Sequence, residues 1–299
     1  MALNGILPAI LTPLDEHGKL DAAAYEQLLA RLYAAGVHGI YAAGQTGEGP
    51  LLSLDDRMKI AEISAANSPR EANVIIHVGA HRTADAIQLV RHASRIGVTA
   101  VSSLPPIGVY SFPEIRSYYQ ALAANTEVPF LVYYFPALAP AITSIGQILE
   151  LCEIPNVAGL KFTAYDLYSL QQLKRHGYTV YNGHDEVLAA GLLMGADGGI
   201  GTFYNLVPEL FLDIYRKAKA NDWKGAMESQ TLVNELVALV LRYPAISAVK
   251  RMMTWAGVPC GDAAAPRQSL TRAEEEHLLA DLANSSFRGM PFAGPRVSA

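Results

Sequence analysis

The chain has 299 residues, 51% of them hydrophobic and 17% charged, which argues against a disordered chain and allows one large buried core. Its net charge is −5 and no face is dense in lysine or arginine, so a nucleic-acid backbone has nothing to dock on. No apolar run approaches the roughly 20 residues of a membrane helix.

In chain order, short aliphatic or β-branched runs at 6–11, 39–42, 73–78, 100–104, 130–134, 157–161, 179–181 and 198–201 predict eight strands. Their near-continuous apolar character suits strands covered on both faces, as in a parallel sheet. Segments with helical spacing lie between them, such as 22–35, 55–66, 83–96 and 114–124, with a further apolar helix at 187–194. Strand–helix alternation repeated eight times predicts a (β/α)8 barrel of the TIM type. One phrase recurs in support: Gly36, Gly97 and Gly195 each end a helical stretch and lead into a strand. After Asn205 the strand pattern stops, and 208–220, 222–241, 245–256 and 271–282 read as helices punctuated by Pro244, Pro259 and Pro266. The expected organisation is a barrel over 1–220 and a C-terminal helical extension over 221–299, packed on it.

Cys152 and Cys260 form neither a CxxC pair nor a zinc spacing, and two cysteines in a chain of this size do not make a disulfide framework. Residues 1–8 lack the basic start and apolar core of a signal peptide, so a cytoplasmic protein is expected, and Asn284 in its Asn-Ser-Ser sequon is read as chance.

Active groups of such barrels stand at the C-terminal ends of the strands and in the loops that follow. Polar residues at those positions are Thr12, Gln45, Thr46, His77, Tyr133, Tyr134, Lys161, Asp185, Glu186 and Thr202. Lys161 ends an apolar strand, Val157-Ala158-Gly159-Leu160-Lys161. Desolvation there would supply the neutral amine that a Schiff base requires. A lysine snorkelling from the barrel rim is the competing reading. Tyr133 and Tyr134 are adjacent on a strand, so at most one points inward, either as packing or as a proton carrier. Gly44-Gln45-Thr46-Gly47-Glu48-Gly49 is a turn whose N–H groups and threonine hydroxyl suit a carboxylate, or simply a tight turn. It has neither P-loop nor dinucleotide spacing. His184-Asp185-Glu186 opens a helix and reads as a dipole complement, as acceptors for a polyol, or as metal ligands. No HExxH-like partner supports a metal, so none is expected.

Taken together, Tyr133…Pro136, Gly159-Leu160-Lys161-Phe162-Thr163 and the Gly44–Glu48 turn resemble the pyruvate-dependent class I aldolase family. That family contains 4-hydroxy-tetrahydrodipicolinate synthase and N-acetylneuraminate lyase. The likeness runs from about residue 5 to about residue 260. It implies a Schiff base on Lys161, a proton carried by Tyr133, and no metal or organic cofactor. Thr163 and the stretches Tyr181-Asn182-Gly183-His184-Asp185-Glu186 and Gly198-Gly199-Ile200-Gly201-Thr202 are most similar to the N-acetylneuraminate lyase branch. The resemblance thereby implies that Gln45 and Thr46 bind the carboxylate, and that Thr163, Gly183, Asp185, Glu186, Gly201 and Thr202 bind the rest of the sugar acid. Products would be N-acetylmannosamine and pyruvate, reversibly. Leu138 stands where the synthase branch carries an arginine; Gln45 and Thr202 replace the branch's usual hydroxyl residue and serine. Tyr110 matches a tyrosine that reaches a neighbouring subunit's site, implying a homotetramer. The rivals are a relative acting on another 2-oxo sugar acid, the synthase itself, and a catalytically inactive sugar-acid-binding barrel.

Overall fold

The computed structural model describes residues 3–295. Eight parallel strands lie in one sheet: β1 (Gly5–Pro8), β2 (Gly39–Ala42), β3 (Asn73–His77), β4 (Ala100–Ser103), β5 (Phe130–Tyr134), β6 (Val157–Phe162), β7 (Thr179–Asn182) and β8 (Gly198–Gly201). Their order is β1-β8-β7-β6-β5-β4-β3-β2. The sheet curls until its two edge strands meet through a parallel bridge between Ala9 and Tyr41, with the Ile10 N–H donating to the Tyr41 carbonyl at 3.0 Å. This is the (β/α)8 barrel that the alternation predicts.

The helices that follow strands one to eight are α1 (Ala22–Ala34), α2 (Leu54–Asn67), α3 (Thr83–Arg95), α4 (Phe112–Ala123), α5 (Ile145–Cys152), α6 (Leu167–Arg175), α7 (Leu188–Leu193) and α8 (Pro208–Lys219). Three more follow: α9 (Trp223–Val240), α10 (Ala245–Trp255) and α11 (Arg272–Ala283). Gly36, Gly97 and Gly195, the glycines of the repeated phrase, all adopt positive φ just beyond α1, α3 and α7. Among the described residues no single helix is long and apolar enough to cross a membrane. Residues 1–2 and 296–299, the ends of the two segments expected from the sequence, lie outside the described residues.

Strand one ends earlier than its apolar run. Pro8 closes the ladder with β8; beyond it the Ala9 N–H donates to the Gly201 carbonyl at 2.8 Å, while the Asn205 amide donates to the Ala9 carbonyl at 2.8 Å and accepts from the Leu11 N–H at 3.3 Å. The apolar core is split by the barrel wall. Alternate strand residues such as Ile6, Ile40, Val101, Leu160 and Val180 face outward into the helices. Leu7, Tyr41, Ile75, Leu131, Tyr133, Tyr181 and Ile200 fill the interior.

Candidate active site

Register decides which side chains enter the barrel. Tyr133 on β5 lies opposite Lys161 on β6, and Lys161 opposite Tyr181 on β7, so the three point inward at one level. Tyr134 pairs with Phe162 and turns out, its ring 5.2 Å from that phenyl. The ambiguity of the two tyrosines is thus settled by strand pairing. Lys161 is 4% exposed, with Nζ 4.3 Å from the centre of the Tyr133 ring and 4.5 Å from that of Tyr41. Tyr41 is fixed in turn by its hydroxyl, which donates to Ser102 Oγ at 3.1 Å.

This enclosure sets the charge states. Burial pushes the Lys161 ammonium down to about 7, opposed in part by the nearby charge of Asp185. The two tyrosine faces offer it cation–π contact but no carboxylate in direct pairing. Burial also pushes the Tyr133 phenol well above its ordinary value, so it stands as a protonated hydroxyl at neutral pH. Thr163 beside it holds part of that rise back, although the Thr163 hydroxyl makes no hydrogen bond of good geometry. Asp185 is buried as well and is pushed up to about 7 by loss of solvent, against the hydrogen bond that its Oδ2 accepts from the Phe203 N–H at 2.7 Å.

The strand-end residues converge on one cavity of about 310 Å³ at the C-terminal mouth of the barrel. Lys161, Tyr133, Gln45, Thr46, Thr163, Gly183, Asp185, Glu186, Gly201 and Thr202 all line it. Tyr110 does not; it lies in a separate surface cleft with His81 and Tyr118. Two other polar strand ends serve the fold: Thr12 donates to the Gly47 carbonyl at 2.7 Å, and His77 Nε2 accepts from the Leu104 N–H at 3.1 Å.

Local geometry explains the residue types. The Thr46 and Thr202 hydroxyls are 2.7 Å apart, joining the glycine-rich turn to the loop after β8. The Gln45 amide nitrogen is buried beside them without a hydrogen-bond partner. Gly201 permits close approach of Asp185: a Cβ there would meet Asp185 Oδ1 at 1.6 Å. Gly183 does the same for Thr163, whose hydroxyl oxygen would lie 2.0 Å from an added Cβ.

Several lining residues carry no sequence signal. Val237 and Leu241 of α9 and its end, Ile246 of α10, and Arg267 close one side of the mouth from the chain beyond the barrel. Gln230 of α9 accepts from the Ala189 N–H at 2.9 Å and donates to the Asp185 carbonyl at 3.0 Å, seating the turn that carries Asp185 and Glu186. Among the described residues, no group of three or more histidine, cysteine, aspartate or glutamate side chains is placed to share a metal ion.

Comparison with known proteins bears on the family and the fold. The chain is 34% identical to N-acetylneuraminate lyase of Rhizobium meliloti (strain 1021) over 279 residues, 92% of each chain. It is 35% identical to N-acetylneuraminate lyase of Escherichia coli (strain K12 / DH10B) over 260 residues, 86% of this chain and 88% of the relative. Among solved structures, sialic acid aldolase of Ruminococcus gnavus superposes with a TM-score of 0.87 at 27% identity, covering 91% of this chain and 93% of the other. N-acetylneuraminate lyase of Proteus mirabilis superposes with a TM-score of 0.88 at 28% identity, covering 96% and 100%. The profile of the dihydrodipicolinate synthetase family matches residues 2–285, and the chain belongs to that family.

Proposed function

We propose that the protein is an aldolase of the carbon–carbon lyase class that cleaves N-acetylneuraminate reversibly to N-acetylmannosamine and pyruvate through a Schiff base on Lys161. The observation that carries this reading is a lysine sealed inside a barrel mouth, its pKa held near 7, with a phenol ring 4.3 Å away. The relatives named above carry the substrate assignment. Leu138 also favours it over the synthase reaction, since this side chain packs against the barrel interior and offers no charge to a second carboxylate.

In this reading the open-chain sugar acid enters with its carboxylate against the turn that bears Gln45 and Thr46. Because burial pushes Lys161 down to about 7, a substantial share of it is neutral near neutral pH, where an ordinary lysine is almost wholly charged. The free amine attacks the C2 ketone, water leaves, and the iminium accepts the electrons of the breaking C3–C4 bond. The proton on the C4 hydroxyl must leave at the same time. Tyr133 is a poor base as a buried phenol, so it acts as a relay, taking that proton while passing its own to the substrate carboxylate. The aldehyde departs, and the remaining enamine is protonated and hydrolysed to pyruvate. Thr163, Gly183, Asp185, Glu186, Gly201 and Thr202 contact the hydroxylated tail. The lysine itself supplies the electron sink, so the reading assigns no cofactor.

The barrel, 1–220, carries the chemistry, and the extension, 221–299, closes one side of its mouth. The protein is read as a cytoplasmic homotetramer in which Tyr110, outside its own chain's cavity, serves a neighbouring subunit. Borohydride reduction with pyruvate, followed by peptide mapping, should place the label on Lys161, and the purified protein should release pyruvate from N-acetylneuraminate. Label elsewhere, or release only from other 2-oxo acids, would sink the assignment.

A further inference from the structure

The mouth of the cavity holds a braced cluster with no part in the bond-breaking steps. Tyr165 lies in the turn between β6 and α6 and is 61% exposed. An exposed tyrosine ordinarily samples several rotamers, but two contacts of different kinds fix this one. Its hydroxyl donates to Glu186 Oε1, and its ring stacks flat on the His184 imidazole at 4.2 Å with 5° between the planes. His184 stands edge-on to Phe135, 6.2 Å between centres, and its Nδ1 lies 3.6 Å from the same Glu186 Oε1. At 3.6 Å the imidazole is beyond hydrogen-bonding distance of that oxygen, so the phenol makes the polar contact and the imidazole braces the phenol's ring. Phe135, His184 and Glu186 all line the cavity, and Tyr165 reaches it only through its contacts with His184 and Glu186.

We propose that Tyr165 is a positioning residue for substrate selection: it clamps Glu186 through Oε1 so that Oε2 is presented, already oriented, to a hydroxyl of the substrate's polyol tail. The reasoning is physical. A free glutamate must give up rotamer freedom when it accepts a hydrogen bond from a ligand, and that loss weakens binding. A carboxylate held beforehand by a phenol, whose ring is itself braced on an imidazole, has already lost it. The phenol also answers to the carboxylate, whose hydrogen bond and charge push Tyr165 up to about 12, so it remains a donor throughout the neutral range. The substrate class is thus a 2-oxo acid with a hydroxylated tail long enough to reach Glu186, distinct from pyruvate and from short 4-hydroxy-2-oxo acids. The inference rests on the lyase reading above.

The test is Tyr165→Phe, which keeps the stacked ring and removes only the hydroxyl, compared with Tyr165→Ala, which removes both. With N-acetylneuraminate, KM should rise about five- to ten-fold in Tyr165→Phe and further in Tyr165→Ala, with kcat changing less than about three-fold. With a 4-hydroxy-2-oxo acid that lacks the tail, and in borohydride trapping of pyruvate on Lys161, both variants should match the parent. An unchanged KM for the sugar acid in Tyr165→Phe would overturn the proposal. So would an equal loss with the short substrate or in trapping, because the tyrosine would then be supporting the fold. A parent protein that traps pyruvate but cleaves no tailed sugar acid would instead defeat the lyase reading, and this inference with it.

Discussion

Lys250 and Glu48 form an ion pair away from solvent, Nζ to Oε2 at 2.7 Å, with their side chains 1% and 0% exposed. Lys250 belongs to α10, beyond the barrel, and Glu48 to the turn that bears Gln45 and Thr46. Glu48 adopts φ +56, a left-handed conformation that a non-glycine residue holds only when its surroundings insist. Its other oxygen accepts from the Ala264 N–H at 2.8 Å, and Lys250 also donates to the Asp262 carbonyl at 2.7 Å. The helical extension thus grips the turn proposed to hold the substrate carboxylate. Lys250→Met leaves a buried carboxylate without its main counter-charge and should cost about 3 kcal/mol or more in denaturant unfolding. It should also weaken pyruvate binding. Adding Glu48→Gln should recover part of the stability by removing the stranded charge; no recovery would mean that the pair does not act as one unit.

Lys161 imposes a pH-dependent cost on the fold. Below about pH 7 the folded and unfolded chains both carry the ammonium, and the full cost of burying it is present. Between about 7 and the ordinary 10.5 the folded chain binds fewer protons than the unfolded one, so stability rises with pH across that window. Lys161→Met should therefore be more stable than the parent at pH 6, by on the order of a few kcal/mol, with the gap closing toward pH 10.5. The same variant should trap no pyruvate. Unfolding midpoints measured across this range check the sign.

Tyr133→Phe keeps the ring against Lys161 and removes only the proton carrier. Pyruvate trapping on Lys161 should persist, while kcat for cleavage falls about 10²- to 10⁴-fold. A parallel fall in trapping would mean that the hydroxyl serves the amine and not the C4 proton.

Asp185 favours the charged form of Lys161, so Asp185→Asn should move the amine's titration to lower pH. Because the two groups interact, the parent's trapping profile reports apparent values of the pair. The rising limb of trapping against pH should shift downward in the variant. An upward shift would contradict the electrostatic relation between the two residues.

Gly201→Ala would drive a methyl group to within 1.6 Å of Asp185 Oδ1, so the carboxylate must leave its bond to the Phe203 N–H. We expect cleavage of the sugar acid to fall at least about 10-fold, with thermal stability lowered by about 1–3 kcal/mol. Parent-like values for both would show that the loop relaxes freely.

The strands were legible before folding because each is a short apolar run buried on two faces, and Lys161 stood out because it closes such a run. Gly36, Gly97 and Gly195 marked helix ends for an equally local reason, the backbone conformation that a helix stop requires. Tyr133 could not be separated from Tyr134 by spacing alone; its inward direction comes from the pairing of β5 with β6, a relation between distant residues. Tyr41, Gln230, Lys250 and Arg267 were silent in the sequence, since each gains its place at the site from an element far away along the chain. Local patterns report local hydrogen bonding and burial, whereas the amine's charge state depends on what the closed barrel packs around it. Sequence determined that a lysine would end an apolar strand; only closure of the barrel decided that two aromatic rings would flank it and leave it little exposed to solvent.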